Sequence, residues 1–278
     1  MIRDITIGQY YPVESVIHRL DPRTKLAITF IYLISLFLAN NKYMYLLAMA
    51  VLVIYILLSK VPLKYMIKGL KGILFFILAS VVLNMFFTAG DPFIDWKFIH
   101  ISFQGVRTAC YTMVRIIFLV LGASVITYTT TPTKLTDGLE GSFQWLKRFH
   151  VPVHEVAMMV CIALRFIPIL VEELDKIMKA QQARGADFEN GNLLKRLKSL
   201  FPVILPMFVS AIRRANDLAL AMEARGYQGG DGRTKMKPLK YTKADGIAYV
   251  VLFLYLSGMV ALRILLSDWF FLAFNAGV

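Results

Sequence analysis

Two arginine residues with the same neighbours are the most distinctive candidates for function in this sequence. The tripeptide Ala-Arg-Gly occurs twice, as Ala183-Arg184-Gly185 and as Ala224-Arg225-Gly226. Glycine after the last residue of a helix accepts a left-handed backbone, and arginine suits the negative end of the helix dipole. An arginine at a helix tip can also form a forked pair with a partner's carboxylate. Because both copies end a long predicted helix, we interpret them as docking elements and not only as caps.

The histidines near the middle of the chain give a weaker indication of metal binding. His150 and His154 have the i,i+4 spacing that can bind a metal ion from one helix face. However, Pro152 lies between them, and no H-E-x-x-H sequence is present. We therefore predict neither a metal site nor a bound cofactor.

A second histidine motif lies before the first apolar run. His18 and Asp21 could form a catalytic dyad, but Asp21-Pro22-Arg23 also has the form of a helix start. In that interpretation Asp21 is the N-cap and Pro22 is the first helical residue. We favour capping over catalysis.

Charged residues also interrupt two apolar segments. Arg165 is followed seven and eight positions later by Glu172 and Glu173, on about the same helix face, so we predict a local charge network. Pro168 removes a backbone donor within this segment and can bend the helix. Arg115 lies in the middle of an apolar run, where it could line a substrate path, form an internal pair or extend to the interface.

The composition indicates the environment in which these residues act. Of the 278 residues 58% are apolar, and 31 Lys and Arg against 18 Asp and Glu give a net charge of +13. The mean hydropathy is +0.61. A chain that is both apolar and basic is most simply a membrane protein whose positive charges face one side. Two distant cysteines define no disulfide framework.

Five apolar runs are near the ~20 residues that a helix needs to cross a bilayer. They lie at 26–40, 43–59, 72–88, 107–128 and 246–266. Basic residues before the first run and after the second place the N-terminus in the cytoplasm. We predict three parts: a four-span domain over 1–130, a cytoplasmic coupling domain over 131–243, and a C-terminal span over 244–278.

The coupling domain is expected to contain three helices. Residues 133–147 predict an amphipathic helix, and 155–183 and 193–224 predict two long helices with one apolar and one polar half. Basic clusters at 195–198 and 235–243 could contact nucleic acid or anionic lipid headgroups. They adjoin membrane-embedded segments without interleaved aromatic residues, so we favour lipid and predict no nucleic-acid binding.

Over nearly its whole length the sequence resembles the transmembrane T component of energy-coupling factor (ECF) transporters. The two Ala-Arg-Gly endings are the most specific part of the resemblance. The other matching segments are Tyr11-Pro12, Ser15-x-x-His18-x-Leu20-Asp21-Pro22-Arg23-x-Lys25, Thr131-Pro132-x-Lys134-Leu135, and Ala163-Leu164-Arg165-Phe166-Ile167-Pro168 leading to Glu172-Glu173.

The resemblance implies an all-α, non-enzymatic scaffold in the bacterial cell membrane. In this family two crossed coupling helices dock by their arginine-bearing tips into two ABC-type ATPase subunits. A membrane-embedded S component captures a vitamin or similar micronutrient. By this resemblance Arg184 and Arg225 are the docking residues, framed by Ala183, Gly185, Ala224 and Gly226.

Two other classes of function, a secondary carrier and a membrane enzyme, are alternatives to the scaffold. The chain has no G-x-x-x-x-G-K-[ST] sequence with which to bind ATP itself. A self-sufficient secondary carrier needs polar residues in its spans, and Asn84 and Arg115 are the main candidates. A membrane enzyme needs clustered carboxylates, paired histidines or an activated serine, and none is convincing. Both alternatives rank below the scaffold.

Overall fold

The structure is a computed structural model of the chain and describes residues 10–39, 41–88, 92–96, 99–186, 188, 193–229, 236 and 238–275. For residues 92–96, 99–101, 103, 193–199 and 266–275 it describes the backbone alone. The described residues form nine α-helices, one 3-10 helix and one short β-hairpin. The predicted all-α class is therefore confirmed, with a small hairpin added.

The helices follow one another with short connections. They are α1 (Val16–Arg19), α2 (Pro22–Leu38), α3 (Lys42–Ser59), α4 (Leu63–Phe87), α5 (Phe103–Thr129), α6 (Pro132–Ser142), the 3-10 helix (Gln144–Phe149), α7 (Val153–Ala183), α8 (Leu193–Ala224) and α9 (Lys243–Asn275). The antiparallel strands β1 (Pro92–Trp96) and β2 (Ile99–Ser102) lie between α4 and α5.

Local capping explains several of these boundaries. The side chain of Asp21 accepts a hydrogen bond from the backbone N–H of Arg23 at 2.9 Å, with Pro22 at the first helical position. The hydroxyl of Ser102 accepts one from the N–H of Gly105, also at 2.9 Å, at the start of α5. The predicted role of Asp21-Pro22-Arg23 as a helix start is confirmed.

The amphipathic helix predicted over 133–147 is shorter than expected. Regular helix ends at Ser142, and a 3-10 helix continues from Gln144 to Phe149. Two glycines in the last turns of α6, Gly138 and Gly141, lower its helix propensity and account for the early end.

Within the part of the chain that the structure describes, five helices are long and apolar enough to cross a membrane. Four of them, α3, α4, α5 and α9, correspond to predicted spans. The fifth is α7, which was predicted to belong to the coupling domain. The first predicted span corresponds to α2, which has only 17 residues and is not among the five. The number of candidate spans agrees with the prediction, but their membership differs because apolar residues fill the first half of α7.

The contacts divide the chain into two compact units. One unit contains α1 to α5 and α9, and its core lies where α2, α3, α5 and α9 meet. Leu36, Ala48 and Val125 are completely buried there. The outer faces of these helices expose large apolar side chains, as helices that face lipid do. The other unit contains the 3-10 helix, α7 and α8.

Candidate docking site at two helix ends

The two Ala-Arg-Gly motifs end α7 and α8 with the same backbone geometry. At the first end, the N–H of Gly185 donates to the carbonyl of Gln182 at 2.9 Å, and the N–H of Ala186 donates to that of Gln181 at 3.0 Å. This pair of bonds is the Schellman motif, which satisfies the last carbonyls of a helix. Gly185 has φ +90°, a left-handed conformation that glycine adopts without strain.

The second end repeats this arrangement at the close of α8. The N–H of Gly226 donates to the carbonyl of Glu223 at 2.8 Å, and the N–H of Tyr227 donates to that of Met222 at 3.0 Å. Gly226 has φ +72°. The predicted C-terminal role of both glycines is therefore confirmed.

Both helix tips project into open space within the structure. All six motif residues are exposed, and no neighbouring atom lies within 4 Å of the position that a side chain would take at either glycine. Neither Arg184 nor Arg225 forms an ion pair with any described residue. Each tip thus presents an uncompensated guanidinium on a rigidly capped helix, which suits it to bind a carboxylate of another molecule.

The two tips lie at opposite ends of a helix pair. Gln181, near the end of α7, donates a hydrogen bond to the carbonyl of Pro202, near the start of α8, at 3.4 Å. At the other end, Met158 of α7 lines the same groove as Met222 of α8. The helices therefore run antiparallel, and at ~1.5 Å per residue roughly 35–40 Å of helix separates Arg184 from Arg225.

A polar contact joins the middles of these two helices. The carboxylate of Glu173 on α7 accepts hydrogen bonds from Nη2 and Nε of Arg214 on α8, at 2.8 and 3.1 Å. It also accepts one from the hydroxyl of Ser210. Each carboxylate oxygen of Glu173 therefore has a donor on the neighbouring helix, Ser210 for Oε1 and Arg214 for Oε2. These bonds hold α7 and α8 in register.

This contact corrects the charge network predicted around Arg165. Seven or eight positions span two helical turns, or ~11 Å, which is too far for a direct ion pair. Arg165 and Glu172 are exposed and form no ion pair with described residues, and Glu173 pairs with α8 instead. Pro168 lies inside α7, which continues through it.

The N-terminal motif around His18 is a packed structural cluster. His18 Nδ1 lies 2.7 Å from the hydroxyl of Ser15, and its Nε2 lies 3.1 Å from the carbonyl oxygen of Tyr11. Partial burial lowers the pKa of His18, and the nearby charge of Lys25 lowers it further, while the Tyr11 carbonyl acts in the opposite direction. Both ring nitrogens have partners other than Asp21, so the ring is held in place by its neighbours and forms no dyad with that carboxylate.

Two buried charged residues in the same region were missed by sequence reasoning. Lys25 is 2% exposed, and its ammonium donates to the carbonyls of His18 and Thr129 and to the hydroxyl of Thr130. Asp245 is 1% exposed. Lys25 is one of the basic residues before the first apolar run, whose charge predicts a cytoplasmic N-terminus. Nothing in its spacing distinguishes it from Arg19, which is exposed, because the burial of Lys25 depends on α5, more than a hundred residues away.

Two polar residues inside the spans, Arg115 and Asn84, form hydrogen bonds with other groups of the same chain. Arg115 on α5 donates to the hydroxyl of Tyr45 at 3.0 Å and to the carbonyl of Ala39 at 3.2 Å. Ala39 ends α2, so the cation lies at the negative end of that helix. Asn84 donates to Ser80 of its own helix. Of the alternatives considered for Arg115, the structure supports the internal pair.

The histidine pair near α7 does not form a metal site in the described part of the chain. His150 ends the 3-10 helix, whereas His154 lies in the first turn of α7. The Nδ1 of His154 lies 3.0 Å from Oε1 of Glu140 on α6. Among the described residues no group of three His, Cys, Asp or Glu side chains is placed to bind a metal.

Most of the basic clusters predicted to contact lipid lie beyond what the structure describes. The side chains of 195–198, and residues 235 and 237, are outside the described residues. Lys240 and Lys243 are described and exposed, as headgroup contact requires.

Comparison with known proteins assigns this architecture to a family. The CbiQ family model, described as cobalt transport protein, matches residues 13–236. Several relatives bear the name energy-coupling factor transporter transmembrane protein EcfT. The one from Ruminiclostridium cellulolyticum is 47% identical over 263 residues, which cover 95% of this chain and 98% of the relative. The one from Clostridium kluyveri is 50% identical over 250 residues, 89% of this chain and 93% of the relative.

A third relative, from Bacillus subtilis, is 43% identical over 264 residues, 95% of this chain and the full length of the relative. The matches therefore include both helix ends as well as the apolar helices. The chain belongs to the CbiQ family of multi-pass transporter membrane proteins and, within it, to the EcfT transmembrane components of energy-coupling factor transporters.

Proposed function

We propose that this chain is the non-catalytic scaffold of an ECF-type importer, which couples ATP hydrolysis by two ATPase subunits to vitamin or micronutrient uptake. Arg184 and Arg225 each insert into a groove of one ATPase subunit and pair with a carboxylate there. The observation that carries this proposal is the pair of identical, exposed and uncompensated arginine tips. Their separation of roughly 35–40 Å of helix suits two separate subunits better than one.

The S component is proposed to bind the apolar half of α8. Large side chains recur there at helical spacing and are exposed within the structure: Phe201, Ile204, Leu205, Phe208, Val209 and Ile212. Phe201 and Phe208 expose 72% and 61% of their surface. A continuous apolar stripe of this kind is typical of a helix that packs against another apolar surface. The substrate itself would be recognised by the S component and not by this chain.

Movement of the ATPase subunits would reach this stripe through the helix pair. A lever transmits displacement only if its parts keep their register, and the Glu173–Arg214 contact joins the helices between the two tips. In this proposal the domain over 131–243 faces the cytoplasm, together with the N-terminus, in the bacterial cell membrane.

The proposal is tested by charge reversal at the tips. We would replace Arg184 and Arg225 by Glu, singly and together, and purify each variant with its co-expressed ATPase and S subunits. The double variant should lose the ATPase subunits, because an anionic tip repels the carboxylate that it is meant to bind. Arg148→Glu is a matched control with the same charge change, since Arg148 is exposed and distant in sequence from both tips. Normal ATPase recovery and uptake in the double variant would disprove docking.

Reconstitution in liposomes distinguishes the scaffold function from the function of a secondary carrier. Liposomes that contain the chain alone should show no uptake, whereas liposomes with the full complex should take up the substrate of their S component when supplied with ATP. Uptake by the chain alone would establish the carrier function. The internal bonds of Arg115 and Asn84, the two polar candidates in the spans, support the scaffold.

A further inference from the structure

An apolar cavity of about 190 Å³ lies in the unit formed by α1 to α5 and α9. Its inner wall is buried and includes Ile17, Leu52, Tyr32 and Tyr255, which expose between 2% and 5% of their surface. Cavities of this size with apolar walls stay dry and take up small apolar groups in place of water. The cavity is therefore a site for hydrocarbon and not for a polar solute.

The opposite side of the cavity opens on the surface of the helices. Its margin is formed by Leu58 of α3 and by Ile247 and Val251 of α9, which are 48%, 67% and 52% exposed. Both helices are among those that can cross a membrane. The opening thus faces the region where lipid chains surround the protein.

The length of the cavity matches one leaflet of a bilayer. On α9 it extends from Ala244 to Tyr255, which is ~16 Å at 1.5 Å per residue. Half of a ~30 Å hydrocarbon core is ~15 Å. A single acyl chain that enters beside Ala244 would therefore end near Tyr255, about the middle of the membrane.

Positive charge is concentrated at the end of the cavity where α9 begins. Lys60 follows the lining residue Leu58 by two positions, and Lys243 directly precedes the lining residue Ala244. Both lysines are exposed and form no ion pair with described residues. The nearby acidic groups, Asp21 and Asp245, are buried, and both accept hydrogen bonds within the protein, whereas the two lysines reach the surface.

The wall also contains two hydroxyl groups that are unusual in an apolar cavity. The hydroxyls of Thr29 and Tyr55 lie close enough to interact with each other, and neither has a hydrogen bond to a third described group. When two hydroxyls pair, only one O–H donates to the other, so the second O–H still lacks an acceptor. An unmet buried donor is costly, and an ester carbonyl of a lipid can supply the acceptor.

We propose that this cavity binds an anionic phospholipid, with one acyl chain along α9 and the phosphate beside Lys60 and Lys243. The chain fills the apolar volume, and its ester carbonyl accepts from Thr29 or Tyr55. The bound lipid fills the space between α1, α3 and α9 and completes their packing. This site is independent of the two arginine tips and of the proposed scaffold function.

The proposal is tested with photoreactive lipids in nanodiscs that contain the full chain. Phosphatidylglycerol and phosphatidylcholine, each with a diazirine on one acyl chain, are incorporated separately, and adducts are located by mass spectrometry. Adducts of the anionic lipid should concentrate on residues 51–58 and 244–255 and exceed those of phosphatidylcholine by about fivefold or more. Adducts spread evenly over the exposed faces of all spans would overturn the proposal.

Two pairs of variants separate the acyl site from the charged site. Ala248→Phe places a ring in the cavity and should remove the concentrated adducts, while Ala261→Phe, on an exposed position of the same helix, should keep them. Lys60→Gln with Lys243→Gln should remove the preference for phosphatidylglycerol, while Lys68→Gln with Lys71→Gln should retain it. The lysine variants lie outside the core, so they test the proposal even if Ala248→Phe unfolds. The proposal would be contradicted if Ala248→Phe and Ala261→Phe gave the same adducts, or if the two double lysine variants showed the same preference for phosphatidylglycerol.

Discussion

The carboxylate of Asp245, at the start of α9, accepts a hydrogen bond from the backbone N–H of Asp21, the N-cap of α2, at 2.8 Å. The two residues are 224 positions apart. Oδ2 of Asp245 also accepts from the N–H and the hydroxyl of Thr242, both at 2.7 Å. One buried side chain therefore connects the first long helix of the chain with the last.

We expect Asp245→Ala to lower the free energy of unfolding by about 2–4 kcal/mol, because it leaves buried donors without an acceptor. Asp245→Asn keeps one acceptor and should cost less. Thermal unfolding in detergent measures both. Asp217→Ala, at an exposed position of α8, should change the stability by no more than about 0.5 kcal/mol. Equal losses at the two sites would show that the Asp245 contact contributes little.

The ion pair between Glu173 and Arg214 should show measurable coupling. In a double-mutant cycle with Glu173→Gln and Arg214→Met, we expect an interaction energy of about 1 kcal/mol, since the pair is partly shielded from solvent. The pair Asp175 and Lys179, within α7 and more exposed, is the internal comparison and should give about 0.3–0.5 kcal/mol. A cycle for Glu173 and Arg214 that gives no more coupling than this surface pair would contradict a register function.

Alanine at the end of either long helix should be unfavourable. Gly185→Ala and Gly226→Ala place a side chain at positive φ, at a cost of about 1 kcal/mol. Hydrogen exchange of the amides of 185–186 and 226–227, which form the capping bonds, should become faster in the respective variant. Gly72→Ala, within α4 and with open space around it, should instead stabilise by about 0.5–1 kcal/mol. Unchanged exchange at both tips would mean that alanine is tolerated there.

The stability of the protein should decrease in mild acid through His18. Its pKa is lowered in the folded state, so the unfolded state binds more protons as the pH falls through about 6.5. The free energy of unfolding then drops below that pH, and His18→Gln should flatten this part of the curve. The melting temperature between pH 5 and 8 measures the effect. His150→Gln, at an exposed position, serves as the control and should keep the slope. If the two variants have the same pH profile, His18 is not responsible.

Periodicity and cap residues were sufficient to predict the long helices. The predicted range 193–224 agrees with α8, Leu193–Ala224, and 155–183 agrees with α7 to within two residues. The left-handed glycines were also predictable, because arginine followed by glycine after a long amphipathic run leaves few other conformations. These features depend on residues near one another in the chain.

The features that were missed depend on contacts between distant residues. The burial of Lys25 is determined by carbonyl and hydroxyl groups of α5, and the partner of Glu173 lies on α8 rather than one or two turns away. α7 has an apolar half and a polar half, and it is apolar enough over part of its length to cross a membrane. Periodicity alone does not decide which half determines the location of the helix. The sequence alone does not distinguish a charged residue that faces water from one that belongs to a buried network.

The antiparallel pair of α7 and α8 has an approximate internal two-fold symmetry. Glu173 and Arg214 each lie eleven residues before the arginine that ends their own helix, so their contact lies close to the axis that exchanges the two tips. A dimer of ATPase subunits with its own two-fold axis could then offer the same groove to both tips. On the axis itself the symmetry is broken, because an acidic residue faces a basic one. The helix pair therefore provides two equivalent contact points but has distinguishable halves.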